Sequence, residues 1–208
     1  MKNNAPNLLS LSRMVATALV FALALVNQPW SFLAATVLFL IASVTDFFDG
    51  YLARRLHVVS PLGVFLDLTA DKILVAAILI ALVQIGLVPA WIVIIIVARE
   101  FLVTGLRSMA VAKGKVIPAG TWGKQKTFIT LVAIGGILLA KGLGAQHLSL
   151  FPPMLVFNSQ TLNVAEIMLL AADVLLLVAV FWTIMSGVEY FIGAFPLFQL
   201  GREANTTS

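Results

Sequence analysis

Four aspartates dominate the chemistry this sequence offers. Asp46 and Asp49 stand three residues apart, and Asp67 and Asp71 stand four apart. If both stretches are helical, Asp46, Asp49, Gly50, Ala53 and Arg54 fall in one stripe, and Gly63, Asp67 and Asp71 fall in a second. The short connection between Arg54 and Gly63 contains Ser60-Pro61 and suits an antiparallel helix pair whose stripes face each other. Four carboxylates brought together repel, and each unpaired charge is costly in or near lipid. A divalent cation relieves both problems, and all-oxygen sites suit hard ions such as magnesium, manganese or calcium. Two ions would account for four acids. Gly50, Ala53 and Gly63 remove side chains from the same faces, so a flat ligand such as a nucleotide base could approach the backbone. The plainer alternative pairs the acids with Arg54, Arg55 and Lys72 at helix ends and uses the small residues for tight packing.

The elements that must hold these residues are apolar. Hydrophobic residues make up 61% of the 208 and charged residues only 11%, less than half the ~25% of an ordinary soluble domain. That excludes a disordered chain and argues strongly against a soluble globule. Cysteine is absent, which excludes a disulfide framework, a zinc–cysteine site and a thiol nucleophile. No charge falls in residues 14–45 or 73–98, and about 20 apolar residues suffice for a helix to cross a bilayer. In lipid the backbone must satisfy its own hydrogen bonds, so the apolar runs should be helices.

Punctuation by Asn, Pro and Gly divides the chain into six spans, near residues 11–26, 32–55, 63–87, 89–112, 124–141 and 164–191. The expected fold is all-α, one polytopic membrane domain over residues 1–208. Lys2, Arg13, Arg54, Arg55, Lys113, Lys115, Lys124, Lys126 and Arg202 collect on one side, which predicts that both termini are cytoplasmic. The small-x-small triplet at Ala22 to Ala24 does not interrupt the apolar run, so the first span reads as a retained helix. Small-residue pairs such as Gly135-Gly136 and Ala171-Ala172 suit close helix packing.

The pattern D-x2-D-G-x2-A-R-x8-G-x3-D-x3-D is complete here at Asp46, Asp49, Gly50, Ala53, Arg54, Gly63, Asp67 and Asp71. In this the chain resembles the CDP-alcohol phosphatidyltransferases, whose signature it is. The resemblance covers most of the chain, since that family also has six membrane helices with cytoplasmic termini. It implies transfer of a phosphatidyl group from a CDP-linked lipid to an alcohol, with release of CMP. It also implies that Asp46, Asp49 and Asp67 are metal ligands. Asp71 would be the general base, with possible metal contact, and Gly50, Ala53, Arg54 and Gly63 would line the CDP site. Magnesium is the expected metal, with manganese an alternative and two ions the expected number. Homodimerisation, the bacterial cytoplasmic membrane and an active site facing the cytoplasm follow from the same resemblance; nucleic acid has no part in it. Such chemistry needs charge neutralisation more than a nucleophile, in keeping with the lack of cysteine. His57 is read as a loop residue and His147 as extracytoplasmic, both outside the catalysis.

The acceptor alcohol is addressed by a second charged window. It holds Arg99, Glu100 and Arg107, then Lys124 and Lys126. Arg99 and Arg107 lie eight residues apart, about two turns along one helix side. A basic cluster beside an acidic metal site calls for an anion, and a phosphate on the acceptor supplies one, bound by Arg107 and Lys124, with Arg99 and Lys126. The alternative has Arg99 pairing with Glu100 and the lysines serving topology alone. The stretches R-E-x5-L-R and G-K-x-K-T, and the opening at residues 6–13, resemble the bacterial phosphatidylglycerophosphate synthases of this family. That resemblance implies sn-glycerol 3-phosphate as acceptor and CDP-diacylglycerol as donor. Leu68 stands where many relatives have proline, and the residues before Gly123 are atypical, so inositol phosphate, inositol, serine or a lipid acceptor stays open. A cation transporter using the aspartates as an ion path is the alternative of another class. Residues 6–13 are expected to lie along the membrane interface, and Glu166 and Asp173 to be structural partners or dimer contacts.

Overall fold

The computed structural model describes the backbone of residues 5–56, 61–112, 121–145, 150 and 163–206, and the side chains of residues 11–45, 69–70, 72–112, 123, 125–145, 150 and 163–194. These residues form six helices and, among them, no strand. The helices are α1 (Ala5–Val26), α2 (Pro29–Leu56), α3 (Pro61–Gln84), α4 (Ala90–Ala112), α5 (Thr121–Gly142) and α6 (Val164–Thr206). The all-α reading holds, and each expected span has its helix. Residues 6–13 belong to α1 without a break and lead directly into the first span. Arg13 is accordingly buried, at 3% exposure.

The boundaries follow from local chemistry. Pro29 and Pro61 open α2 and α3, where a missing N–H is harmless and the fixed φ suits the first turn. Asn27 ends α1 in the left-handed region at φ 53°, and its N–H returns to the Ala24 carbonyl at 3.2 Å. After α3 the turn passes through Gly86 at φ 76°, and the Leu87 N–H donates to the Leu82 carbonyl at 2.9 Å. This backbone conformation needs glycine. At the start of α6 the Glu166 carboxylate accepts from the Asn163 N–H at 3.3 Å, half of a capping box. Glu166 is therefore a helix-terminus residue.

Packing is organised around α1 and α5. α1 lies against both α2 and α3, α5 lies against α2 and α6, and α4 packs chiefly on α6. The buried core runs through Phe32, Phe39, Ile78, Leu82, Ile134 and Leu176. Large apolar side chains also cover the outside, among them Leu40, Ile94, Phe128, Phe181 and Phe191. A surface of that kind suits lipid rather than water. Two helical stretches, Gln125–Gly142 and Val164–Ala194, are long and apolar enough to cross a membrane, and Leu11–Val26, Pro29–Thr45 and Lys72–Gln84 are shorter apolar stretches. Inside the helices, hydroxyls bond to their own backbone four residues earlier: Thr36 to the Phe32 carbonyl at 2.7 Å and Thr183 to the Ala179 carbonyl at 2.6 Å. Polar side chains in a lipid-facing bundle are satisfied in this way.

Asp173, in the third turn of α6, is fully buried, and its Oδ2 accepts the Leu150 N–H at 2.9 Å. This carboxylate ties Leu150 to the bundle, as a structural partner.

Candidate functional site

The acidic stripes sit where two long helices end and begin. Asp46, Asp49, Gly50, Ala53 and Arg54 occupy the last three turns of α2, which is unbroken from Pro29 to Leu56. Gly63, Asp67 and Asp71 occupy the first three turns of α3. Because both stretches are continuous helix, the three- and four-residue spacings place each set along one side of its helix. The side chains of these eight residues lie outside the described ones, as does that of Lys124 at the start of α5. His57, His147, Lys2, Lys113 and Lys115 lie outside altogether. As residue types, carboxylates on continuous helix with glycine and alanine in the same stretches would suit a hard divalent cation. α1, packed against both helices, carries the buried Arg13 towards the same end of the bundle.

A direct link joins the acidic helix to the basic one. Lys72, the residue after Asp71, donates from Nζ to the Thr104 hydroxyl at 2.7 Å. Thr104 lies on α4 between Arg99 and Arg107, and its hydroxyl donates to the Glu100 carbonyl. The two charged windows, distant in sequence, are thus joined across the α3–α4 contact.

The basic residues line a cavity of about 210 Å³ between α4, α5 and α6. α4 contributes Arg99, Glu100, Val103 and Arg107. α5 contributes Gly123, Lys126 and Thr127. α6 contributes Ser186, Glu189 and Tyr190. A cavity of this size is below the ~300–1,000 Å³ of clefts for drug-sized ligands and suits a small polar solute. Lys126 is 4% exposed and forms an ion pair with Glu100, whose carboxylate also stands 3.6 Å from Arg99 Nη1. Glu100 therefore gathers two cations that would otherwise repel. The Arg99 stem runs close to α6 at Gly187, where a Cβ would stand 3.4 Å from Arg99 Cγ. Arg99 Nε is buried without a hydrogen-bond partner among the described residues, a donor aimed at no protein acceptor.

Arg107 is held differently. Its Nε and Nη2 both donate to the Tyr190 hydroxyl, at 3.2 and 2.8 Å, and its guanidinium carbon lies 5.6 Å from the centre of the Tyr190 ring. Sequence reasoning brought Arg99, Arg107 and Lys126 forward but passed over Ser186, Glu189 and Tyr190. Their one signal is that Glu189-Tyr190 interrupts the apolar run of α6.

Residues 3–185 match the family model described as CDP-alcohol phosphatidyltransferase. The chain is 40% identical over 200 residues to the CDP-diacylglycerol–glycerol-3-phosphate 3-phosphatidyltransferase of Bacillus subtilis (strain 168), covering 90% of this chain and 93% of the relative. It is 34% identical over 188 residues to the protein of the same name in Rickettsia bellii (strain RML369-C), with the same coverage. A third protein of that name, from Pseudomonas fluorescens, is 38% identical over 143 residues, covering 66% of this chain and 72% of the relative. With a match over most of its length and the whole eight-residue signature in place, the chain belongs to the CDP-alcohol phosphatidyltransferase family.

Proposed function

We propose that this protein transfers the phosphatidyl group of CDP-diacylglycerol to sn-glycerol 3-phosphate, giving phosphatidylglycerol phosphate and CMP. The observation that carries the acceptor is the small cavity that gathers Arg99, Arg107 and Lys126, joined through Thr104 and Lys72 to the helix that bears Asp71. The names of the relatives support the same acceptor. The chain works as an integral membrane homodimer with six spans and both termini in the cytoplasm, so the site opens to the compartment that holds its water-soluble substrate. The single domain spans residues 1–208.

Asp46, Asp49, Asp67 and Asp71 hold the divalent metal, magnesium or manganese, in a two-ion site. When bound, such ions supply positive charge that stabilises the pyrophosphate and the departing CMP. Gly50, Ala53 and Gly63 leave room for the cytidine diphosphate, and Arg54 adds a fixed cation beside it. Arg107 and Lys124, with Arg99 and Lys126, hold the acceptor's phosphate and so orient its free hydroxyl. Asp71 takes the hydroxyl proton as the oxygen bonds to the phosphatidyl phosphorus. The pyrophosphate bridge then breaks and CMP leaves.

The test is CMP release by purified protein with CDP-diacylglycerol, magnesium and glycerol 3-phosphate, with inositol, serine and inositol phosphate in competition. Glycerol 3-phosphate should win, Asp71→Asn should abolish turnover without loss of fold, and a chelator should stop turnover reversibly. Preference for a neutral alcohol would reject the acceptor assignment, and no CMP release with any alcohol would reject the activity.

A further inference from the structure

Tyr190 contributes something to the cavity that the cations alone do not. Its side chain comes from α6, 83 residues beyond Arg107, and it is 5% exposed, so its hydroxyl is fixed by packing. Arg107 by contrast is exposed and has a long side chain with many rotamers. The Tyr190 oxygen sits in the fork between Nε and Nη2, at 3.2 and 2.8 Å. A guanidinium has five N–H donors, and two are used here. The Nη1–Nη2 edge keeps its donors, and that edge has the geometry for two parallel bonds to a phosphate. The guanidinium carbon also lies 5.6 Å from the centre of the Tyr190 ring, within reach of its attraction.

We infer that Tyr190 is a positioning residue for acceptor binding, one that holds Arg107 with its outer edge turned to the acceptor's phosphate. This deepens the proposed function and rests on its assignment of the acceptor. Tyr190 acts through Arg107, so it controls how tightly the phosphorylated alcohol is held rather than the transfer step. Immobilising the arginine in advance lowers the entropy lost on binding.

The experiment compares wild type, Tyr190→Phe, Arg107→Ala and the double variant, all purified in the same detergent and checked for equal thermal stability. Phenylalanine keeps the ring and removes only the hydroxyl. Tyr190→Phe should raise KM for glycerol 3-phosphate about tenfold, the order expected for a lost hydrogen bond to a charged group. kcat and KM for CDP-diacylglycerol should stay within about twofold. Arg107→Ala should raise the acceptor KM further, and the double variant should match Arg107→Ala alone. An unchanged acceptor KM in Tyr190→Phe overturns the inference, as does a parallel fall in kcat or multiplication of the two effects in the double variant. If the wild type does not use glycerol 3-phosphate, the acceptor assignment fails by itself. The role of Tyr190 is then read from the thermal shift caused by inorganic phosphate. A shift in wild type that is lost in Tyr190→Phe supports the inference, and an equal or absent shift overturns it.

Discussion

Gly135 and Gly136 are neighbours on α5, yet they face different helices, and that difference sets opposite outcomes for the same substitution. A Cβ on Gly136 would stand 2.9 Å from the Ala172 Cβ of α6, while a Cβ on Gly135 would stand 3.5 Å from Phe39 Cε1 of α2. Carbon atoms attract best at about 3.5–4.0 Å. The alanine methyl is therefore accommodated at 135 and overlaps its neighbour by roughly 0.6 Å or more at 136. Any gain in helix propensity, up to about 1 kcal/mol, is common to the two variants and cancels in their comparison. What remains is the strain of overpacking, typically about 1–3 kcal/mol. For a chain of this length, 1 kcal/mol moves Tm by about 2–4 °C, so Gly136→Ala should melt about 2–12 °C below Gly135→Ala. The assay is thermal unfolding of both variants in one detergent, followed by intrinsic fluorescence of the four tryptophans. Equal melting temperatures, or a lower one for Gly135→Ala, would refute the close α5–α6 contact on which this reasoning rests.

Substitutions at Asp173, Glu100 and Lys126 probe charge held within the bundle. Asp173→Leu leaves the Leu150 N–H without its acceptor and should destabilise the protein by about 1–3 kcal/mol, whereas Asp173→Asn keeps an acceptor oxygen and should cost less; equal melting of the two variants would count against the bond. Glu100→Gln removes the anion shared by Lys126 and Arg99 and should destabilise by about 2 kcal/mol, below the range for a fully buried pair because Glu100 is partly exposed. Adding Lys126→Met should restore part of that loss, and a further drop in Tm would show that the pair was not the source.

Much of the architecture was legible in the order of residues because long apolar helices announce themselves locally. Charge-free runs, prolines at helix starts and Asn or Gly at helix ends are properties of neighbouring residues, and each of the six helices overlaps its expected span, although α1 begins earlier, at Ala5, and α6 continues through Pro196 to Thr206. The acidic set was legible for the same reason, since helical spacing carries Asp46 to Asp49 and Asp67 to Asp71 onto common faces without reference to the rest of the chain. The eight-residue signature likewise needed only the sequence, and it identified the family. The sequence left the length of the first helix open, since a polar opening does not mark where it starts, and α1 begins at Ala5 with Arg13 buried.

Contacts between helices far apart in sequence could be decided only by the tertiary structure. The sequence offered Arg99 pairing with Glu100 as one reading, but it did not show that Glu100 also takes Lys126 while Arg107 turns to α6. Nor does the sequence show that Lys72 reaches Thr104, or that Tyr190 comes to lie against an arginine 83 residues away. Short-range periodicity sets which face a side chain occupies, and only the packing of one helix on another sets what that face meets.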